Sequence, residues 1–325
     1  MRKALFPFLI VAAIAALGAA LQAPAAIVFP YATVAALLLG LSWRVVRWSF
    51  SPVPFRITTT CGQQKSLPWI KAGWIESPYN TAGVVARMAL EILLFRSLFR
   101  NTRTRLESGP RLLYGEAKWL WLAALSFHWS LLVILIRHLR LLVEPVPRLA
   151  LFLEIIDGFF QIGAPVLYVT DVVVLVALLY LLQRRLRDAQ VRYVSLFTDY
   201  FALFLLLGIA LSGVWMRYFG RTDVVAVKQF AIGLATFAPV LPAGVGAMFF
   251  AHLALVSTLA AYLPFSKLVH MGGIFLSPTR NLANNNRMKR HVNPWNYPVK
   301  VHTYEEWEEE FKDKIEAAGL PVERS

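Results

Sequence analysis

Four histidines mark where this chain can do chemistry. His128 and His138 lie ten residues apart in one apolar segment, and His252 and His270 lie eighteen apart in another. An imidazole inside a bilayer is costly, so a functional role is the default reading for each. Neutral imidazole is a good iron ligand, and its second ring nitrogen is held by a backbone or water acceptor. Two helices that each carry two such rings can hold two haems in a stack, each iron gripped by one ring from either helix. One such histidine alone is more often a core or interfacial ring bonded to a carbonyl. Four, paired on antiparallel spans, favour the ligand reading.

The elements that must position these rings are membrane helices. Of 325 residues, 58% are hydrophobic and 16% charged, against about a quarter charged in soluble domains, and the mean hydropathy is +0.55. About twenty apolar residues span a bilayer, and several stretches approach that length. The net charge of +14 would suit a nucleic-acid binder, but the basic residues cluster between apolar spans, so no nucleic-acid partner is expected. Cys61 is the single cysteine. It excludes an internal disulfide, covalent c-type haem attachment and a four-thiolate cluster. Any haem is therefore noncovalent, any iron–sulfur cluster belongs to a partner, and Cys61 reads as an ordinary free thiol.

The fold expected is all-α, a polytopic bundle of six transmembrane helices: a five-helix core plus an extra N-terminal helix over residues 1–24. That first span, Ala4–Leu21, follows a basic start that also resembles a signal peptide; it is read as a retained helix that Pro24 breaks. The later spans are Ile27–Trp43, Trp119–Arg137, Phe160–Leu182, Leu196–Met216 and a long run Phe230–Phe265 punctuated by Pro239, Pro242 and Pro264. Arginine and lysine concentrate in 45–118 and 184–192, which places both termini in the cytoplasm of a bacterial inner membrane. Within 45–118, residues 82–99 contain Arg87, Glu91 and Arg96 and read as an interfacial amphipathic helix rather than a seventh span. The membrane domain covers 25–272. The tail 273–325 carries an acidic helix, with Thr303 and Glu306 in capping-box spacing and Gly319 at its end, and is expected to dock on a cytoplasmic partner.

Antiparallel spans match His128 with His270 toward the cytoplasm and His138 with His252 toward the outside. On ideal helices His252 and His270 share one face, and the spacings correspond to about 15 Å and 27 Å, an inequality that tilt and a bend at Pro264 must absorb. Gly244, Gly246 and Ala247 beside His252 leave room for a porphyrin edge. His291 and His302 read as ordinary contact residues of the tail. Arginines near span ends, Arg44, Arg111, Arg137 and Arg217, are candidates to bind haem propionates by bidentate ion pairs.

With these spacings the chain resembles the cytochrome b (gamma) subunit of respiratory nitrate reductase, over roughly Ile27 to His270. The resemblance implies a five-helix bundle with two b haems, the cytoplasm-side iron held by His128 and His270 and the outer one by His138 and His252. The tail run Ser277-Pro-Thr-Arg-Asn-Leu-Ala-Asn-Asn-Asn-Arg-Met-Lys-Arg, with Asn293-Pro-Trp-Asn and Pro298-Val-Lys-Val-His-Thr-Tyr-Glu-Glu, resembles the DsrM family. That is the cytochrome b subunit of the membrane complex associated with dissimilatory sulfite reductase, DsrMKJOP. The extra first helix and long 45–118 loop point the same way. This resemblance implies exchange of electrons with menaquinone. It also implies a cytoplasmic iron–sulfur partner related to heterodisulfide reductase, which acts on a small sulfur-carrier protein, and further Dsr membrane subunits.

Nitrate reductase relatives oxidise quinol near the outer haem and use a lysine after the second histidine helix. Here the corresponding stretch offers Arg140, Glu144, Arg148, Glu154 and Asp157, and no lysine. Glu154 and Asp157, read as loop carboxylates, are the candidates to accept quinol protons. Asp171, read as lying well inside the fourth span, is a candidate for a proton path or an arginine pair. The expected function is electron transfer between menaquinone and a cytoplasmic iron–sulfur subunit, with the sulfur chemistry done elsewhere. The alternatives are a gamma-type subunit of a nitrate reductase-like complex and a non-redox transporter or scaffold. A transporter should show internal repeats and broken mid-membrane helices; no repeat is evident, although Pro239–Gly246 mimics a break.

Overall fold

A computed structural model describes residues 2–51, 62–106, 109, 111–158, 165–288 and 301–323. Cys61, His291, the expected start of the fourth span at Phe160 and the Asn293–Pro298 stretch lie outside the described residues.

The chain opens with α1, Arg2–Ser49, helical throughout. Its contacts show that its two halves run in opposite directions. Phe6 meets Phe197, Val11 packs with Leu205 and Leu255, Gly18 faces Ala254, and Ala26 reaches Phe249. The order then reverses: Thr33 Oγ1 donates to Ser257 O at 3.3 Å, Gly40 abuts Pro264 and Trp48 abuts Gly273. The expected break at Pro24 is therefore a reversal between Gly18 and Thr33 with no loop assigned. Pro24 and Pro30 fall in that stretch, and each lacks the N–H that would continue a straight helix.

The loop after α1 holds α2 (Thr81–Leu94), α3 (Arg96–Phe99) and a hairpin of β1 (Thr102–Leu106) and β2 (Leu112–Glu116), paired antiparallel with Thr102 opposite Glu116. The hairpin is absent from the all-helical expectation; the alternation Thr-Arg-Thr-Arg-Leu is its local signal. At 14 residues, α2 reaches about 21 Å, short of a hydrocarbon core of about 30 Å. The bundle follows: α4 (Lys118–His138), α5 (Arg148–Asp157), α6 (Val169–Arg187), α7 (Ala189–Val194), α8 (Phe197–Tyr218), α9 (Val224–Ala235) and α10 (Ala247–Tyr262). The short helices α11 (His270–Leu276) and α12 (Pro278–Asn281) precede α13 (Tyr304–Ala317). Thr303 and Glu306 form the expected capping box on α13, and Gly319 follows with φ +71°.

Among the described residues, five stretches are long and apolar enough to cross a membrane: Lys3–Leu21, Ala26–Ser49, Lys118–Leu141, Phe197–Tyr218 and Ala247–Phe265. The architecture is an all-α membrane bundle. Helix α6, with Asp171 at one end and Arg184, Arg185 and Arg187 at the other, is too charged for that set but packs between α4 and α8. Phe127 of α4 meets Val174, Ala177 and Leu178 of α6 and Leu203 of α8, while α10 packs on both α1 and α8. Exposed apolar side chains such as Leu38, Leu135 and Val176 suit a lipid surround, which needs only that the backbone be satisfied internally.

Two expected spans are corrected. The run Phe230–Phe265 is not one helix: α9 ends at Ala235, and Pro239, Pro242 and Gly244 (φ +75°) carry a turn before α10 begins. The fourth helix starts at Val169 rather than near Phe160, because Pro165 and an extended Tyr168 precede it, so Asp171 sits in its first turn and not deep inside it.

Close packing of α1 gives a test. A Cβ on Gly18 would stand 2.5 Å from Ala254 Cβ and 2.9 Å from Phe250 O. Gly18→Ala should destabilise detergent-purified protein by about 1–3 kcal/mol. Gly208→Ala, whose methyl would meet Leu255 and Val11 at 3.4–3.5 Å, should not lower the thermal midpoint.

Candidate functional site

The first histidine pair lies toward the end of the bundle that carries the basic loops. His128 is midway along α4, and His270 opens α11. Their ring centroids are 6.0 Å apart and the rings stand at 80°. His128 Nδ1 is 2.7 Å from Ala124 O, and His270 Nδ1 is 2.9 Å from Lys267 O. A carbonyl oxygen only accepts, so Nδ1 donates in both rings and each Nε2 keeps its lone pair.

The second pair lies toward the opposite end. His138 closes α4 with Nδ1 2.7 Å from Ile134 O. His252, near the start of α10, places Nδ1 2.8 Å from Ser212 Oγ on α8. That hydroxyl donates to Gly208 O at 2.7 Å, so it accepts from the ring, and the tautomer is again the one with Nε2 free. His138 lies within electrostatic reach of His252. Among the described residues no hydrogen bond engages any of the four Nε2 atoms.

The residues present fit a metal held between two imidazoles. Metal–nitrogen bonds of about 2 Å plus a ring radius on each side put two trans imidazole centroids about 6 Å apart, which the first pair matches. Helices α4 and α10 are not among the closely packed pairs, so their side chains meet across a gap. Open space lies beside Gly244 and Gly246.

The eighteen-residue spacing does not act as a single helical face. Helix α10 ends at Tyr262, a 3-10 turn follows with Pro264 buried, and Ser266 is extended (φ −110°, ψ 177°). A second 3-10 turn, Lys267–Val269, then delivers His270. This break removes the conflict between the straight-helix spans of about 15 Å and 27 Å. Arg44 Nε donates to Pro264 O at 2.8 Å, and Lys267 Nζ donates to Asp199 on α8 at 3.0 Å, so the turn is tied to α1 and α8.

A lid covers His128 of the first pair. Phe95, in the left-handed region at φ 49°, joins α2 to α3 and meets the His128 ring edge-on at 4.9 Å. Trp121 and Trp129 of α4 donate to Leu94 O at 2.7 Å and Leu93 O at 3.0 Å. Glu76 accepts from Arg96 at 2.5 Å and also pairs with Arg100; the Arg96 hydrogen bond holds its carboxyl below the usual range despite burial. From the other end of the sequence, Arg280 pairs with Glu91 at 3.3 Å and Asn284 N donates to Pro78 O at 2.6 Å.

Next to His138 is a buried polar cluster. Arg137, 9% exposed, pairs with Asp157 at 3.2 Å and Asp171 at 3.0 Å. Thr170 donates its N–H and hydroxyl to Asp157 at 2.8 and 2.6 Å, and Tyr218 donates to Asp171 at 2.9 Å. Tyr168 is flanked by two guanidiniums, Arg137 at 3.7 Å and Arg217 at 3.9 Å from its ring centroid. Its hydroxyl donates to Glu154 at 2.6 Å, and Arg140 donates to the same carboxylate at 2.5 Å. Asp171 and Tyr218 also edge an apolar cavity of about 380 Å³ between α6 and α8, with Val172, Val176, Val214 and Phe219 in its wall.

Set against these sites, the comparisons decide the family. The nitrate reductase gamma subunit family matches residues 76–290. The chain belongs to that family. A curated relative from Archaeoglobus fulgidus, called an Hdr-like menaquinol oxidoreductase cytochrome b-like subunit, is 45% identical over 276 residues, 83% of this chain and 82% of its own length. A relative of the same description from Archaeoglobus profundus is 42% identical, covering 82% and 81%. The family match contains all four histidines and excludes α1.

Within this gamma-type chain, Glu154 and Asp157 stand elsewhere than the sequence placed them. Glu154 and Asp157 are not loop carboxylates: both lie on α5, and Asp157 is buried. Arg137 and Arg217 stack on Tyr168, and Arg217 donates to Val166 O at 3.0 Å; Arg111 is exposed beside the hairpin. Ser212, Tyr168, Thr170 and Tyr218 were missed. A serine or tyrosine in an apolar run gives no periodic signal; only the fold brings Ser212 to His252 and the other three to charged partners.

Truncating Arg137 would leave two buried carboxylates uncompensated. Arg137→Ala should cost about 3–5 kcal/mol in thermal unfolding of the purified protein, whereas Arg111→Ala should stay within about 0.5 kcal/mol.

Proposed function

We propose that this chain is a dihaem cytochrome b that carries electrons across the membrane between menaquinol and a cytoplasmic iron–sulfur subunit. The observation that carries the reading is the His128–His270 pair, 6.0 Å between ring centroids with both Nε2 atoms free. His128 and His270 would hold the cytoplasm-side b haem, and His138 and His252 the outer one, by noncovalent bis-histidine ligation. Haem supplies a one-electron carrier at each position; the protein's part is to fix tautomer and orientation and to keep water away. Both termini and the 45–118 loop face the cytoplasm of the inner membrane, with 1–24 as an extra first span, α2 in the interface, and 273–325 as a docking tail.

Quinol suits the cavity between α6 and α8. Its apolar wall takes a hydrophobic ring, and the Asp171 carboxylate, held behind that wall by Arg137 and Tyr218, is the candidate to accept a proton from a quinol hydroxyl. Arg137 holds that carboxylate in place. Asp157 and Glu154 continue the polar cluster toward Arg140. Both relatives are Hdr-like menaquinol oxidoreductase subunits by name, which supports menaquinol as the quinone and a heterodisulfide reductase-like partner. The tail sequence supports assignment to the Dsr branch, with sulfur chemistry in that partner and the other DsrMKJOP subunits. The family's own description favours a nitrate reductase-like partner as the second reading; capture of the partner through Asn281–Ser325 separates the two.

Purified protein should show reduced b-type bands and about two haems per chain. Replacing His128 or His270 by alanine should remove one haem, and replacing His138 or His252 the other; a variant that keeps both haems would break the pairing. Asp171→Asn should slow haem reduction by a menaquinol analogue about a hundredfold, with both haems retained in the optical spectrum.

A further inference from the structure

His252 is held differently from the other three histidines. His128, His138 and His270 each give the Nδ1 proton to a carbonyl of their own chain three or four residues back. His252 gives it to the hydroxyl of Ser212, forty residues away on α8. Ser212 is buried, and its own proton is committed to Gly208 O at 2.7 Å, with Ile209 O at 3.0 Å. The oxygen can therefore serve the ring only as an acceptor. The next residue, Gly213, lies so close that a Cβ there would be 3.5 Å from His252 Cε1, so the backbone of α8 runs directly against the imidazole.

We propose that Ser212 is the positioning residue of the outer site: it fixes the tautomer and plane of His252 from a neighbouring helix and sets how strongly that ring donates to its metal. An acceptor on the distal nitrogen raises the basicity of a ligating imidazole, and second-shell partners of this kind are a main lever on a bound metal. A hydroxyl is a neutral, modest acceptor, and it stands on a different helix from the ligand. The outer site is thereby tuned independently of the first, where both acceptors are carbonyls of the ligands' own segments. Movement of α8 against α10 would reach the outer site through this contact. The inference rests on the dihaem reading above.

The test is an optical redox titration, with electron paramagnetic resonance, of the full-length chain as wild type, Ser212→Ala, Ser212→Thr and Ser212→Cys. With the acceptor removed, Ser212→Ala should favour reduction of one haem by roughly three- to tenfold in its reduced-to-oxidised ratio at fixed potential, the range a single net hydrogen bond commands. The low-spin signal of the same haem should shift, and the other haem should be unmoved. Ser212→Thr keeps the hydroxyl and should restore the wild-type titration. If Ser212→Ala loses the outer haem, Ser212→Cys, nearly isosteric with a weak acceptor, carries the same expectation with a smaller shift. Two unmoved waves, a shift shared by both haems, a shift toward oxidation, or no rescue by threonine would each overturn the role of Ser212. A wild-type chain without haem would instead overturn the dihaem reading itself.

Discussion

Everything at the two candidate sites depends on where one proton sits on each imidazole. In an apolar interior an unpaired ring N–H is expensive, so the nitrogen that finds an acceptor is the one that keeps the proton. Helical backbone offers that acceptor at short range, and His128 and His138 take it from Ala124 and Ile134, one turn back on α4. The remaining nitrogen is then a lone pair aimed away from the ligand's own helix. Helices α4 and α10 are not closely packed against each other, so the rings between them do not sit in a tight helix–helix seam.

The structure spends its burial of charge unevenly. At the end near His138, one guanidinium serves two buried carboxylates while a tyrosine lies between it and a second arginine. A pair of this kind adds little to stability over an apolar equivalent, yet it is costly to break. At the other end Arg87 is buried as deeply, the Glu76 ion pairs are partly exposed, and aromatic side chains cover the ring of His128. The two ends share a ligand type and differ in nearly everything around it.

Much of this was legible in the sequence. The apolar runs, the order of the histidine pairs and the capping box at Thr303 are local or periodic properties, and the fold keeps them. What failed did so where chain breaks are tertiary. Pro264 marks a bend but not that Ser266 turns extended, so His252 and His270 read as one helical face although two 3-10 turns separate them. Asp171 read as a mid-span charge because the apolar run begins before the helix does. Asp157 read as a loop residue because its partners, Thr170 and Arg137, come from two other helices. Ser212 had no signal at all; a hydroxyl in an apolar helix acquires meaning only from the ring opposite.

The bonds from Asn284 to Pro78 and from Arg280 to Glu91 tie the tail's beginning to a loop made some two hundred positions earlier in the chain. Synthesis runs from the N-terminus, so His138, His252 and Ser212 all exist before His270, Arg280 and Asn284 do. The outer pair can come together while the lid over His128 still lacks its latch. Biogenesis therefore has a built-in order: the pair that faces away from the basic loops is the first to be complete, and the lidded pair closes only when the last membrane helix has been followed by its tail.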